Sequence, residues 1–393
     1  MRLIVSTNHR GVHHNDISGW LYVIDPENGE ILRKAAGIEP PFRQRDTNPR
    51  GGMRGMRGIS ILDGELAVAN YSTVFFFDLH WNLTRAFTHP AVSAIHEILY
   101  VEDGLWVTST ANDLLVKYDL SGALSEYYLV RDRVDLMRTM HGTTKRNLRT
   151  LDILNPNTDF RQRSYFNSDK YDRTHLNSLT LTQDGHLLLS LGLIVSPRYS
   201  FLMYIKTLML KLRLWNIFLK INRALRRALR LKNQLHSDLV ISPAKERSAI
   251  VKFDRTKTWD IILQFVTAHN PSHTVRPLRD GTCVYLDTST GSLVHFDISG
   301  FIQSKTVIGD SFLRGLLELP NGQLAVGSGN SLLFFDLSEM KVIGSIQVSE
   351  KPHDTVFDIQ LLPDEFILPP ESLEFITGRM LGYDGERILW NRN

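Results

Sequence analysis

The chain has 393 residues, of which 42% are hydrophobic and 22% charged, and its formal net charge is +3, the composition of a soluble globular protein. The single cysteine, Cys283, excludes an intrachain disulfide and favours a reducing compartment. Because the N-terminal sequence MRLIVSTNHRGVHH has no long apolar core and no small-residue cleavage site, we expect no secretory signal and a cytoplasmic location.

The predicted elements begin with three short strands, RLIVSTN, WLYVIDPENG and EILRKAA, and the pattern of the second strand recurs along the chain. An apolar strand that ends in Asp appears six times, at 21–29, 74–82, 114–122, 249–257, 293–300 and 332–340. The Asp side chain is suited to begin a turn, because it bonds nearby backbone N–H groups. A further pair of strands around a Gly-containing turn belongs to the same repeat of roughly forty residues, which predicts four-stranded propeller blades.

The two ends of the chain predict how the ring of blades closes. The three N-terminal strands lack a first strand, and the C-terminal segment 353–365, HDTVFDIQLLPDE, is a first strand without a blade behind it. Together they predict an all-β, six-bladed β-propeller in which one blade combines one C-terminal and three N-terminal strands. Two packed β-sandwiches are the alternative, because alternating strands alone do not distinguish the two architectures. The whole chain, 1–393, is expected to form this single domain, with 366–393 as an unassigned C-terminal tail.

The blade pattern resembles the six-bladed propellers of the strictosidine synthase, gluconolactonase, paraoxonase and NHL groups. The resemblance covers most of the chain and implies an architecture without an activity. Calcium-dependent members of these groups carry Glu, Asp and Asn at the heads of their inner strands. In this chain most of those heads are basic residues or His, so no calcium site and no catalytic residue is transferred.

The heads of the six predicted inner strands carry the candidate site. When the strands are aligned on their turns, one column consists of Arg57, His96, Asn177, His273, Arg314 and Phe357. Inner strands of a propeller line the central channel, so these distant positions are expected to converge at its mouth. The alternative is that polar residues simply solvate the mouth.

Each member of the predicted site has a role suited to its chemistry. Arg57 and Arg314 are expected to hold a carboxylate or phosphate of the substrate. His96 or His273 is the predicted general acid or base, with Glu97 orienting a neighbouring His. Two further substrate-binding candidates are Asn177 and Asp358.

A metal centre is the competing interpretation of the same region. Four histidines, His96, His175, His273 and His353, form a candidate imidazole set for Fe, Zn or Cu. His175 lies two residues before the aligned column and His353 four, and the four histidines have no local ligand spacing, so the cofactor remains open.

The segment 196–245 interrupts one blade and is predicted to be helical. Residues 198–237 contain ten Lys and Arg and no acid, and KINRALRRALRLKNQL separates an apolar from a cationic face. A membrane-crossing helix is excluded by the interspersed charges. The alternatives are contact with a membrane surface, a lid on the propeller, or a protein partner. Nucleic-acid binding is not favoured, because the aromatic residues lie among Leu and Ile.

The functional expectation is an enzyme that acts on a small anionic or amphipathic substrate at the channel mouth, with the protein peripheral to a membrane. The reaction type is open between hydrolysis, lyase and isomerase chemistry. The alternative is a non-catalytic, membrane-associated propeller scaffold that binds a protein partner.

Overall fold

A computed structural model describes residues 1–9, 17, 19–36, 55–142, 160–161, 172–195, 246–254, 258–267, 271–309, 312–351 and 353–371, with positions 208, 212, 217 and 220. Within these ranges, six four-stranded antiparallel sheets are arranged as a β-propeller. The predicted architecture is therefore the observed one.

The strands are numbered along the chain. The first three are β1 (Arg2–His9), β2 (Gly19–Asp25) and β3 (Glu30–Ala36). Blade 1 contains β4 (Ile59–Leu62), β5 (Glu65–Ala69), β6 (Thr73–Phe77) and β7 (Leu83–Thr88). Blade 2 contains β8 (Ile95–Val101), β9 (Gly104–Ser109), β10 (Leu114–Tyr118) and β11 (Leu124–Leu129). Blade 3 contains β12 (Leu176–Leu181), β13 (Leu187–Ile194), β14 (Glu246–Phe253) and β15 (Trp259–Thr267).

Blade 4 contains β16 (His273–Pro277), β17 (Cys283–Asp287), β18 (Ser292–Phe296) and β19 (Ile302–Val307). Blade 5 contains β20 (Leu313–Glu318), β21 (Leu324–Ser328), β22 (Ser331–Asp336) and β23 (Lys341–Gln347). The last strand, β24 (Asp354–Leu362), pairs with β1 and completes blade 6 in the order β24-β1-β2-β3. Two 3₁₀ turns, Thr110–Asn112 and Val130–Asp132, and the helix α1 (Val134–Thr139) lie in connections.

The ring is closed by contacts between the inner strands. Each of β4, β8, β12, β16, β20 and β24 contacts the next, and β24 contacts β4. The hydrophobic core is divided among the interfaces between blades; the cluster between blades 1 and 2, for example, includes Phe76, Phe87 and Val107. Outer strands such as β23 are exposed over most of their length. Burial of blade faces against their neighbours therefore stabilises the ring and holds the inner-strand heads in place.

The Asp residues that end the third strands begin turns, as the sequence predicts. The Oδ1 atom of Asp78 accepts hydrogen bonds from the backbone N–H groups of His80 (2.9 Å) and Asn82 (2.8 Å). The Oδ1 atom of Asp297 accepts the equivalent bonds from Ser299 (2.9 Å) and Phe301 (3.0 Å). These bonds satisfy backbone donors that the end of the strand would leave unpaired.

The beginning of the C-terminal tail packs on blade 1. Trp81 donates from Nε1 to the carbonyl of Ile367 at 2.8 Å, and its ring lies 6.3 Å from that of Phe366. Residues 372–393 lie outside the described part of the chain.

Strands β13 and β14 bracket the predicted helical insertion, so it joins the second and third strands of blade 3. Nearly all of 196–245 lies outside the described residues, and so does the amphipathic helix predicted there. In the part of the chain that is described, no helix is long and apolar enough to span a membrane.

Candidate functional site

The heads of the inner strands converge at one end of the central channel. The aligned column of the sequence forms a ring, hereafter the mouth ring, whose six members are all less than 10% exposed: Arg57, His96, Asn177, His273, Arg314 and Phe357. The His96 ring lies 5.5 Å from that of Phe357 and 6.1 Å from that of His273, measured between centroids. Closure of the propeller therefore brings together residues that are up to 300 positions apart in the chain.

Three imidazoles form the centre of the site. One ring nitrogen from each of His96, His175 and His273 lies within 4.8 Å of the other two. Nitrogen ligands of a tetrahedral zinc ion are about 3.4 Å apart, so small side-chain movements would bring the three rings to a metal. The fourth metal candidate, His353, does not belong to this cluster, because it is exposed and its ring lies against that of His9.

The hydrogen bonds of His96 assign its tautomer. Its Nδ1 atom lies 2.8 Å from the carbonyl oxygen of Ala94, which can only accept, so Nδ1 carries the proton. The hydroxyl of Thr110, also 2.8 Å from Nδ1, donates its own proton to the carbonyl of Leu176. The carbonyl oxygen of Ala94 and the hydroxyl oxygen of Thr110 therefore both accept from Nδ1–H, and Nε2 of His96 carries the lone pair.

The other two histidines have the same tautomer. In His175, Nδ1 donates to the carboxylate of Asp172 at 2.7 Å. In His273, Nδ1 lies 3.1 Å from the hydroxyl of Thr288, whose own proton goes to the carbonyl of Leu313. Metal-binding histidines usually donate their second ring N–H to a carboxylate, carbonyl or hydroxyl in this way. Nε2 is therefore the atom that each of the three rings would offer to a metal.

His96 is kept neutral by its surroundings. Burial lowers the pKa of His96 well below its ordinary value of 6.5, and the neighbouring Arg314, His175 and Arg57 lower it further. A neutral imidazole is the form that binds a metal or accepts a proton.

The two arginines of the mouth ring share one aromatic side chain. The guanidinium carbon of Arg314 lies 4.1 Å from the centre of the Phe357 ring, and that of Arg57 lies 5.2 Å from it. Arg57 donates to the carbonyl of Ile95 at 2.7 Å, whereas Arg314 donates to Nε2 of His273. The mouth ring thus holds two guanidinium groups beside the imidazoles of His96 and His273.

Backbone strain accompanies the imidazole cluster. His175 has a φ of 49° and Ala94, whose carbonyl holds His96, has a φ of 53°. A non-glycine residue in this left-handed region costs about 1–3 kcal/mol and is found disproportionately at functional sites. The surrounding fold holds His175 in place, since the side chain of Asp113 accepts from the backbone N–H groups of Arg173 and Thr174 at 2.8 and 2.9 Å.

A second group of charges, hereafter the ion triad, crosses the channel: Glu97, Arg276 and Asp358. The Nη1 atom of Arg276 lies 2.8 Å from Glu97 Oε2, and its Nη2 atom lies 3.4 Å from Asp358 Oδ1. The side chains of Glu97 and Asp358 are 4% and 1% exposed. Because the three residues belong to blades 2, 4 and 6, the triad ties alternate blades together across the propeller axis.

The two carboxylates of the ion triad also accept hydrogen bonds from neighbouring inner strands. Glu97 accepts from the hydroxyl groups of Ser178 (2.7 Å) and Thr274 (3.2 Å), whereas the adjacent His96 is oriented by the carbonyl of Ala94 and not by Glu97 as expected. Asp358 accepts from the backbone N–H of Ile59 at 2.8 Å. Burial raises the pKa of Asp358; Arg276 opposes this shift and Glu97 adds to it.

Sequence reasoning placed some residues well and missed others. The mouth ring contains every member of the predicted column, and Asn177 donates to the carbonyl of Ser272 at 2.6 Å. Arg276 and Asp172 were missed. Arg276 is a charge within a predicted inner strand, and Asp172 lies three positions before His175, so both left a signal in the sequence.

Comparisons with known proteins give only distant structural likenesses. No protein-family model matches the chain, and no curated protein matches it. Among solved structures, virginiamycin B lyase from Staphylococcus aureus with quinupristin is 11% identical, over 76% of this chain and 71% of that chain, with a TM-score of 0.43. A structure in the nidogen–laminin complex is 9% identical over 91% and 97% of the two chains, with a TM-score of 0.49.

A luciferin-regenerating enzyme is 10% identical over 77% of this chain and 78% of its own, with a TM-score of 0.45. The similar structures thus include enzymes and a protein–protein complex. At these identities the likeness concerns the propeller fold alone, and function has to be argued from the site.

Proposed function

We propose that the channel mouth is the active site of a metal-dependent enzyme that acts on a small anionic substrate. The observation that carries this proposal is the common arrangement of His96, His175 and His273. Each ring has its Nδ1 proton held by an acceptor, which leaves Nε2 as the atom for a metal, and one ring nitrogen from each residue lies within 4.8 Å of the other two.

The residues present fit a divalent transition metal such as Zn²⁺ or Fe²⁺. Three protein ligands leave further coordination positions for water and substrate, as in catalytic rather than structural sites. A metal held by neutral imidazoles keeps its full charge, and it would supply Lewis-acid activation of a bound water or substrate oxygen. Hydrolysis or lyase chemistry fits this arrangement best.

The arginines determine the substrate class in this proposal. Arg57 and Arg314 would hold a carboxylate or phosphate of the substrate beside the metal. Phe357, which contacts both guanidinium groups, keeps them side by side at the mouth.

Acid–base chemistry without a metal is the second candidate. The lowered pKa of His96 supports it, because a neutral imidazole can take a proton from a substrate at neutral pH. In that case His96 or His273 would be the base and the arginines would still bind the anion.

Metal analysis of the full chain separates these two candidates. The protein would be purified, stripped with a chelator, reloaded with Zn²⁺ or Fe²⁺ and measured by mass spectrometry. We expect one equivalent in the wild type and in His186→Ala, a control histidine on a turn of the same blade, and loss in His175→Ala. If the wild type retains no more metal than His175→Ala, the metal-dependent proposal is wrong.

A membrane setting is proposed from the sequence alone. The cationic, amphipathic segment 198–237 would bring the propeller to an anionic lipid surface. Co-sedimentation with phosphatidylserine vesicles tests this, since a chain without 198–237 should lose binding. Equal binding of both chains would contradict it.

A further inference from the structure

One hydrogen bond in the mouth ring joins an arginine to a histidine. Nη2 of Arg314 donates to Nε2 of His273, the same nitrogen that the proposed metal would take. A guanidinium group has only donors and stays charged at any ordinary pH, so this contact occupies the lone pair of His273. A metal ion and Arg314 therefore compete for one atom.

We propose that Arg314 couples metal binding to anion binding at this site. Binding of the metal displaces Arg314 from His273, and the displaced guanidinium then pairs with an anion whose oxygen also coordinates the metal. The preferred substrate is thus a carboxylate or phosphate that binds through the metal directly. This inference rests on the proposed function and specifies its substrate class.

An anion would lower the electrostatic free energy of the site once the metal is bound. Arg314 is 4% exposed and lies beside the imidazole cluster, so its charge and that of a divalent ion would repel each other in a medium of low polarity. An anion between metal and guanidinium removes the repulsion and adds charge-assisted hydrogen bonds.

The aromatic side chains allow Arg314 to change partner with little displacement. Its guanidinium carbon lies 4.1 Å from the centre of the Phe357 ring and 5.1 Å from that of Phe312. Stacking on a ring face leaves the N–H groups at the edge of the guanidinium plane available for hydrogen bonds. The group can therefore stay on Phe357 while a donor turns from His273 to an anion.

Arg57 provides a matched comparison within the same ring. It lies over the same Phe357 ring, but its Nη1 atom donates to the backbone carbonyl of Ile95. Replacing Arg57 removes a positive charge near the metal without uncovering a lone pair of His273. Its effect on metal affinity should accordingly be smaller than that of replacing Arg314.

The test measures Co²⁺ affinity of the stripped full-length protein by competition with a chromophoric chelator. Acetate and methylphosphonate are the anion probes, and perchlorate at equal ionic strength is the reference. For the wild type we expect either probe to raise Co²⁺ affinity about tenfold, and Co²⁺ to raise probe affinity by the same factor, because coupling is reciprocal. The visible absorption of Co²⁺ should change when the probe binds, which reports direct coordination.

The variants decide whether Arg314 carries the coupling. Arg314→Gln should bind Co²⁺ more tightly than the wild type in perchlorate and lose the enhancement by either probe. Arg57→Gln should lose less of the coupling than Arg314→Gln, because Arg57 does not donate to His273, and Arg279→Gln, at an exposed arginine of blade 4, should match the wild type. Thermal unfolding of each variant checks that the fold is intact.

The outcomes are distinguishable. Equal Co²⁺ affinity with and without the probes, or unchanged coupling in Arg314→Gln, overturns this inference but leaves the metal site. Failure of the wild type to bind Co²⁺ at all overturns the proposed function itself.

Discussion

The mouth ring and the ion triad are built from neighbouring positions of the same inner strands, yet their charges are handled in opposite ways. His96 is followed by Glu97, and Phe357 by Asp358. In the ion triad, Arg276 lies between two carboxylates and each charge has a partner of opposite sign. In the mouth ring, arginines lie beside imidazoles and an aromatic ring.

This difference indicates that the ion triad holds the blades together, whereas the mouth ring is the proposed binding site. The ion triad places one guanidinium between two carboxylates and ties three blades together through its own side chains. The mouth ring concentrates positive charge and neutral imidazoles at one place, an arrangement that a metal and an anion would complete. The predictions below test this division.

The largest effect is expected from removal of the central cation of the triad. Arg276→Met leaves Glu97 and Asp358 buried and facing each other without compensation, which should lower the free energy of unfolding by about 3–5 kcal/mol. Urea denaturation measures this loss. Arg279→Met, which breaks the exposed pair of Arg279 with Glu318, is the control and should cost about 1 kcal/mol or less. Similar losses in both variants would show that the triad is not a structural element.

A smaller effect, on metal affinity, is expected from a substitution of Asp172, which accepts a hydrogen bond from His175. Asp172→Asn weakens the acceptor that orients His175, so metal affinity should fall about 10–100-fold while the fold is retained. Competition with a chelator measures the affinity. Asp184→Asn is the matched control, because Asp184 pairs with His186 on a surface turn of the same blade. If the Asp172 variant binds metal as tightly as the control, Asp172 does not position His175 for metal binding.

The smallest effect is a dependence of stability on pH. The pKa of His96 is lowered in the folded state, so the unfolded chain takes up a proton below pH 6.5 that the folded chain does not. Stability should therefore decrease as pH falls through this range, by up to about 1.4 kcal/mol per pH unit from this residue. Urea denaturation of metal-free wild type and His96→Gln at several pH values measures it. If the substitution leaves the dependence of the free energy of unfolding on pH unchanged, His96 is not held neutral by burial in the folded state.

The fold was largely readable from the sequence, because each blade repeats its own local signals. Strand alternation and the Asp turns, such as that of Asp78, depend on residues close together in the chain. The pairing of β24 with β1 followed from counting strands, since a missing first strand at one end matched a spare strand at the other.

The site was only partly readable. Alignment on the turns placed Arg57, His96, His273 and Arg314 at one mouth, because equivalent positions of equivalent strands converge in a ring. The same alignment could not show that Arg276 would take Glu97 and Asp358 as partners. It also could not show that His353 would lie on the surface beside His9.

The sequence by itself determined the number of blades, the closure of the ring and which residues reach the channel mouth, since these follow from local periodicity and turn chemistry. Only the tertiary structure decided which nitrogen of each histidine carries a proton and which carboxylates are neutralised by Arg276. Hydrogen bonds and ion pairs between blades form only when the distance between two atoms is right to within a few tenths of an ångström. Strand periodicity does not encode distances to that precision.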